Sequence, residues 1–232
     1  NINLPQVVRT CEWLGLDGDG PVTWQSARGE LYEDALVRLH EEGLLYPCVC
    51  TRKEIELAQS APHLGDGTNV SPGTCEGRFE SLAEAEESTE RAAALRLRVP
   101  SGAIEFEDAF AGHQSFDIAA EEGDFPVAKR DGAPAYQLAV VVDDADQGVT
   151  EVLRGDDLLP STARQALLQS ALGLPRPTWI HVPLVTDAAG RRLAKRSDDL
   201  SLQTLRERGV DPRTLVEWAA RSAAMSPPGP LT

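Results

Sequence analysis

Basic residues are scarce. The 232-residue chain carries 22 Lys/Arg against 37 Asp/Glu, a formal net charge of -15. A general nucleic-acid binder needs positive potential to meet the phosphate backbone, so that class is excluded. The deficit is uneven. Residues 191–221 hold eight basic and five acidic side chains, a local +3, whereas everything before them nets -18. A polyanion can therefore be met locally. Long apolar runs are missing too. No stretch of eighteen apolar residues occurs, and no membrane span is expected. The opening Asn-Ile-Asn-Leu-Pro has no basic region and no apolar run, so it does not read as a secretory signal. Cysteine is limited to positions 11, 48, 50 and 75. Without a signal, a disulfide scaffold is not expected and a cytoplasmic protein is.

What remains is the composition of a soluble globular protein, 41% hydrophobic and 25% charged. The length suits one large domain or two small ones with a substantial core. Helical spacing predicts helices over 5–14 and 28–43, the second capped by Ser26 and closed by Gly43. LLYPCVC (44–50) reads as a short strand, and Thr51 with Glu54 as a capping box. Residues 59–80 lack periodicity and form a long loop. An acidic helix over 81–92, a strand over 93–100 and a strand-turn-strand over 103–119 follow. Leu138–Val142 is the longest apolar run and reads as a buried strand, ending at Asp143–Asp144. Ser161 is placed to cap a helix over 162–172, and WIHVPLV (179–185) is another buried strand. Ser201 and Asp211–Pro212 open two more helices. The tail 224–232 is expected to be disordered. Strand and helix alternate from 136 onward, which predicts an open parallel α/β sheet for that half.

The cysteines at 48, 50 and 75 bracket the long loop. Three thiolates can hold zinc, which would organise a segment that has no apolar core of its own. His63 is a chemically suitable fourth ligand and Ser71 a poor one. The plain alternative is three free cysteines in a small fold. Cys11 reads as a small buried apolar residue.

A larger pattern lies in the second half. DGAPAYQLA (131–139) is followed by VVVDDADQGVTEVLRGDDLLPSTARQ (140–165), HVPLV (181–185) and GRRLAKR (190–196). The first half adds CEWLGLDGDGP, WQSARGELYEDAL, YPCVCTRKEI and PGTC. Taken in order over about residues 5–222, these resemble the class I glutamyl-tRNA synthetase family. They are closest to its branch without an anticodon-binding domain, the glutamyl-Q tRNA(Asp) synthetases. The resemblance implies an α/β fold, a Rossmann-like catalytic domain with a small zinc-binding-type insertion. It implies activation of L-glutamate with ATP and transfer to the queuosine base of tRNA(Asp), by a monomer. A glutamyl-tRNA synthetase charging tRNA(Glu) and a catalytically inactive tRNA-binding paralogue are the alternatives.

By the same resemblance, Tyr136 and Arg154 contact glutamate, Tyr136 from the end of a buried strand. Lys195 closes the KMSKS-type loop and neutralises phosphate charge during catalysis and ATP binding. Arg192 stands for the first lysine of that loop and Ala194 for its serine. Cys48, Cys50 and Cys75 match zinc ligands, and Ser71 takes the place of the family's tyrosine ligand. Asp143 and Asp144 are read as supporting or nucleic-acid-orienting groups. The family's opening APSPTGxLHxG, with its HIGH-type motif, is not found. The expected layout is the remaining first half of the catalytic domain over 1–45 and the cysteine-bearing insertion over 46–115. The second half follows over 116–200, a helical segment over 201–223 and a tail over 224–232.

Overall fold

The computed structural model describes residues 4–16, 18–51, 53–55, 73–186 and 201–222. They form two compact units, one built from Trp24–His181 and a smaller one drawn from both ends of the chain. In the smaller unit, α1 (Leu4–Leu14) packs on α7 (Leu202–Glu207) and α8 (Pro212–Ser222). Arg206 donates to Thr10 Oγ1 at 3.3 Å, and Ser201 caps α7 by accepting from the Thr204 amide. These helices match the predicted ones to within two residues. None of the described helices is long and apolar enough to cross a membrane.

The larger unit holds two sheets. Strands β1 (Leu45–Cys48), β2 (Ala94–Leu97) and β5 (Phe125–Ala128) form the first, in the order β1-β2-β5 and antiparallel throughout. Strands β3 (Ile104–Asp108), β4 (Gly112–Phe116), β6 (Glu151–Gly155) and β7 (Thr178–Val182) form the second, in the order β4-β3-β7-β6. β3 and β4 make the predicted hairpin, with Gly112 at φ +75°, a backbone that glycine adopts without strain. β3 also runs parallel to β7, with Asp108 opposite Trp179. The second sheet is therefore mixed. Alternation after residue 136 predicts only parallel pairing, because it says nothing of a hairpin arriving from earlier in the chain.

The helices of this unit are α2 (Gly29–Glu41), α3 (Leu82–Thr89), α4 (Ile118–Glu121), α5 (Tyr136–Asp146) and α6 (Leu159–Leu172). The run Leu138–Val142 is thus helical, not a strand. Leu138, Ala139, Val141 and Val142 are all buried, because α5 packs against α2, α6 and β5. A helix covered on several sides is apolar nearly all round, and a short apolar run cannot tell that case from a buried strand. Two caps also differ from expectation. Ser26 lies in a 3₁₀ turn, Gln25–Ala27, and Arg28 precedes α2 without a side-chain cap. Ser161 lies inside α6, which starts earlier with Pro160 in its first turn. The capping box is present: Thr51 N–H donates to the Glu54 carboxylate at 2.6 Å, and Glu54 N–H donates to Thr51 Oγ1 at 3.2 Å. The main core joins Tyr32 and Leu39 of α2, Leu138 of α5, Leu168 of α6, Phe106 of β3 and Trp179 of β7. The Trp179 ring meets the Phe106 ring edge-on, 5.2 Å between centroids.

Candidate active site and thiol cluster

Arg154 sits on β6, the edge strand of the mixed sheet. Strand alternation turns Leu153 outward, 62% exposed, and leaves Arg154 half-buried. Three of its five N–H groups are held. Nε donates to His181 Nε2 at 3.0 Å, and Nη2 donates to Thr162 Oγ1 at 2.6 Å and to Gln165 Oε1 at 2.8 Å. Thr162 and Gln165 lie three residues apart on α6, so both face the same side of the helix. The Gln165 amide is oriented in turn. Its Nε2 donates to Gln137 Oε1 at 3.0 Å, and Gln137 donates to Ser161 Oγ at 3.2 Å. Nη1 of Arg154 makes no hydrogen bond among the described residues. The two N–H groups of Nη1 diverge in the guanidinium plane, so each can donate singly to a ligand. Burial pulls the Arg154 pKa below its ordinary value, while Tyr136, Asp144 and Asp108 act against that pull by charge.

Tyr136 opens α5 and is 54% exposed. The turn before it is tightly built. Lys129 N–H donates to Ala133 O, Gly132 with φ +78° turns the chain, and Ala135 N–H donates to Val127 O. Tyr136 therefore stands at a helix N-terminus, not at the end of a strand.

Asp143 and Asp144 part company. Asp143 is buried and staples α5 to the region of α2. It accepts from Arg28 Nε at 2.7 Å, Gln25 Nε2 at 2.7 Å and the Tyr32 hydroxyl at 2.8 Å. This is a structural role. Asp144 is half-buried, and burial raises its pKa while nearby Arg154 lowers it.

The thiols of Cys48, Cys50 and Cys75 lie within 4.8 Å of one another, and Cys50 Sγ is 3.4 Å from Cys75 Sγ. Zn–S bonds of about 2.3 Å in a tetrahedron set sulfurs roughly 3.8 Å apart, so the three fit one zinc ion. Cys48 ends β1, and Cys75 lies in the turn that follows Gly73. Burial pushes the Cys50 thiol up to about 12, helped by Cys75 and Cys48. Burial would also raise Cys75, but the amide N–H of Val49 and hydrogen bonds from Cys50 and Cys48 outweigh it and hold that thiol below its usual value. The Cys75 thiolate is thus favoured over that of Cys50. Among the described residues no fourth ligand joins the cluster. His63, Ser71, Arg192, Ala194 and Lys195 lie outside the described residues.

The family described as "tRNA synthetases class I (E and Q), catalytic domain" matches residues 4–229. The chain belongs to that family. It is 42% identical over 235 residues to a glutamyl-Q tRNA(Asp) synthetase of Rhodopirellula baltica, covering 96% of this chain and 70% of the relative. A protein of the same name from Geobacter sulfurreducens is 45% identical over 225 residues, covering 97% and 69%. Among solved structures, a glutamate tRNA ligase of Elizabethkingia meningosepticum in complex with its amino acid superposes with a TM-score of 0.73. At 23% identity this shows the shared fold, over 92% of this chain and about half of that one, 49%. The class I catalytic fold expected from the ordered motifs is therefore present. Sequence reasoning missed His181, Asp108, Thr162 and Gln165. HVPLV carries the histidine, but only the pairing of β3 with β7 brings Asp108 to it.

Proposed function

We propose that the chain activates L-glutamate with ATP and transfers it to the queuosine base of tRNA(Asp). The observation that carries this reading is the half-buried Arg154 guanidinium, fixed on three N–H groups, with Nη1 making no hydrogen bond among the described residues. A fixed, charged N–H donor of this kind suits a carboxylate oxygen. The naming of relatives at 42% and 45% identity supports queuosine-bearing tRNA(Asp) over tRNA(Glu) as acceptor. In the first step, a glutamate carboxylate oxygen attacks the α-phosphorus of ATP, and the bond to the β-phosphate oxygen breaks to release pyrophosphate. In the second, a queuosine hydroxyl attacks the adenylate carbonyl, loses its proton, and AMP departs. Arg154 and Tyr136 hold glutamate. Lys195 offsets phosphate charge as pyrophosphate forms. Cys48, Cys50 and Cys75 hold zinc, which when bound cross-links the cysteine loops. The protein acts as a cytoplasmic monomer.

The test is glutamate-dependent exchange of pyrophosphate into ATP without tRNA, followed by transfer of labelled glutamate. Exchange should fall at least about a hundredfold in Lys195→Ala, the loss typical of one charge-stabilising donor. Label should pass to tRNA(Asp) carrying queuosine and not to the same tRNA with unmodified guanosine. Labelling of tRNA(Glu) at its 3′ end would replace this reading with the tRNA-charging one. Stoichiometric tRNA binding with no exchange would replace it with the inactive one.

A further inference from the structure

The donors around His181 fix where its proton sits. A guanidinium has donors and no acceptor. Arg154 Nε approaches His181 Nε2 at 3.0 Å, so that nitrogen presents a lone pair. The ring proton is then on Nδ1, 2.6 Å from Asp108 Oδ2, and is donated there. Asp108 is itself held by the main chain. Its Oδ1 accepts from the amides of His181 at 3.1 Å, Phe110 at 3.0 Å and Ala111 at 2.8 Å. Both side chains are fully buried. Volume alone asks only for an apolar residue at 181. The imidazole adds an acceptor set against one edge of Arg154, in a tautomer dictated by its partner.

We propose that Asp108 and His181 are positioning residues for the amino-acid pocket. Asp108 locks the Nδ1–H tautomer, and the Nε2 lone pair, shared by Arg154 Nε and the Thr162 hydroxyl, fixes the plane of the Arg154 guanidinium so that its Nη1 N–H groups are left for the substrate carboxylate. Neither residue touches the substrate. The inference rests on the reading of Arg154 as the glutamate ligand. The rival role is a buried staple that merely joins β3 to β7.

Asp108→Asn separates the two roles. The new amide keeps Oδ1 for its three main-chain donors but turns an NH₂ toward Nδ1. The imidazole must then carry its proton on Nε2, where Thr162 Oγ1 can accept it, and Arg154 Nε loses its acceptor and faces a donor. A staple survives this change, because the hydrogen bond between the strands is retained with its direction reversed. A positioning device does not. In pyrophosphate exchange, the KM for glutamate should rise at least about tenfold in Asp108→Asn while the KM for ATP stays close to that of the parent. His181→Leu should be affected at least as strongly. His181→Gln, whose amide oxygen can accept from Nε, should recover part of the loss. A folded Asp108→Asn protein with an unchanged glutamate KM, alongside an impaired Arg154→Ala, overturns the positioning role. An unchanged glutamate KM in Arg154→Ala instead overturns the assignment of Arg154 itself. Nitrogen-15 NMR of the unsubstituted protein needs no activity: His181 should show the Nδ1–H tautomer, and an Nε2–H tautomer or an imidazolium at neutral pH refutes the proposal.

Discussion

Arg130 donates through Nη2 to the carbonyl oxygen of Cys50 at 2.7 Å. The same nitrogen reaches the carbonyl of Val49 at 2.9 Å. One guanidinium thus clamps the backbone between two members of the thiol cluster. Its own residue lies in the turn that leads into α5 and Tyr136. Losing the clamp should cost about 1–2 kcal/mol of local stability at the cysteine loop. Alkylation of buried Cys75, which needs local opening, should quicken about five- to thirtyfold in Arg130→Ala. Arg130→Lys keeps one charged donor and should fall between. Mass spectrometry of pulse-alkylated protein reads the rate, and an unchanged Cys75 rate would show that the clamp contributes nothing.

Metal removal should act on the same three cysteines. Zinc-loaded protein is expected to contain one zinc per chain by elemental analysis, with Cys48, Cys50 and Cys75 protected from alkylation. Chelation should expose all three together, because each sulfur is held by the same ion. Cys75→Ser should lose stoichiometric zinc, and Cys11→Ser should keep it, as Cys11 is not one of the three clustered thiols. Protection of Cys48 and Cys50 that persists after chelation would mean the fold, not a metal, shields them.

Much of this molecule was legible in its sequence, for reasons that differ by residue. Local chemistry was legible: Thr51 and Glu54 form the capping box that their spacing announces, and Gly43 closes α2 with φ +68°. The thiol cluster was legible because Cys48 and Cys50 are near neighbours and Cys75 follows only 25 residues after Cys50. Leu138–Val142 was not. Burial on several sides erases the periodicity that distinguishes helix from strand, so Tyr136 was placed on the wrong kind of element. The support of Arg154 was hidden for another reason. Asp108 and His181 are 73 residues apart, and no local rule announces a pairing of β3 with β7.

The hold of Asp143 on Tyr32 should show in stability. The Tyr32 hydroxyl donates to both carboxylate oxygens, at 2.8 and 2.9 Å, in a buried setting. Burial and the neighbouring carboxylate keep this phenol above its ordinary pKa, so it is a neutral donor at all physiological pH. Tyr32→Phe keeps the ring and removes one hydrogen bond to a charged acceptor. A loss of about 1.5–2 kcal/mol in urea unfolding is expected, with an unchanged m-value. A loss below about 0.5 kcal/mol would mean that Arg28 and Gln25 alone satisfy Asp143.

Acid should act through Asp108. Burial alone would raise its pKa, but hydrogen bonds from Ala111, His181 and Phe110 outweigh it and hold the carboxyl below its ordinary value. A carboxyl with a depressed folded-state pKa stabilises the fold fully above its unfolded-state pKa. That contribution declines as pH falls below the unfolded value and is gone once pH passes the folded one. The unsubstituted protein should therefore lose stability on acidification from about pH 5 downward, where unfolded aspartates begin to bind protons. In Asp108→Asn the acceptor at Oδ1 remains and no proton can be taken up there, so the slope of stability against pH should be shallower in this window. Urea midpoints at a series of pH values check this, and superimposable slopes for the two proteins would show that Asp108 is not the group that titrates.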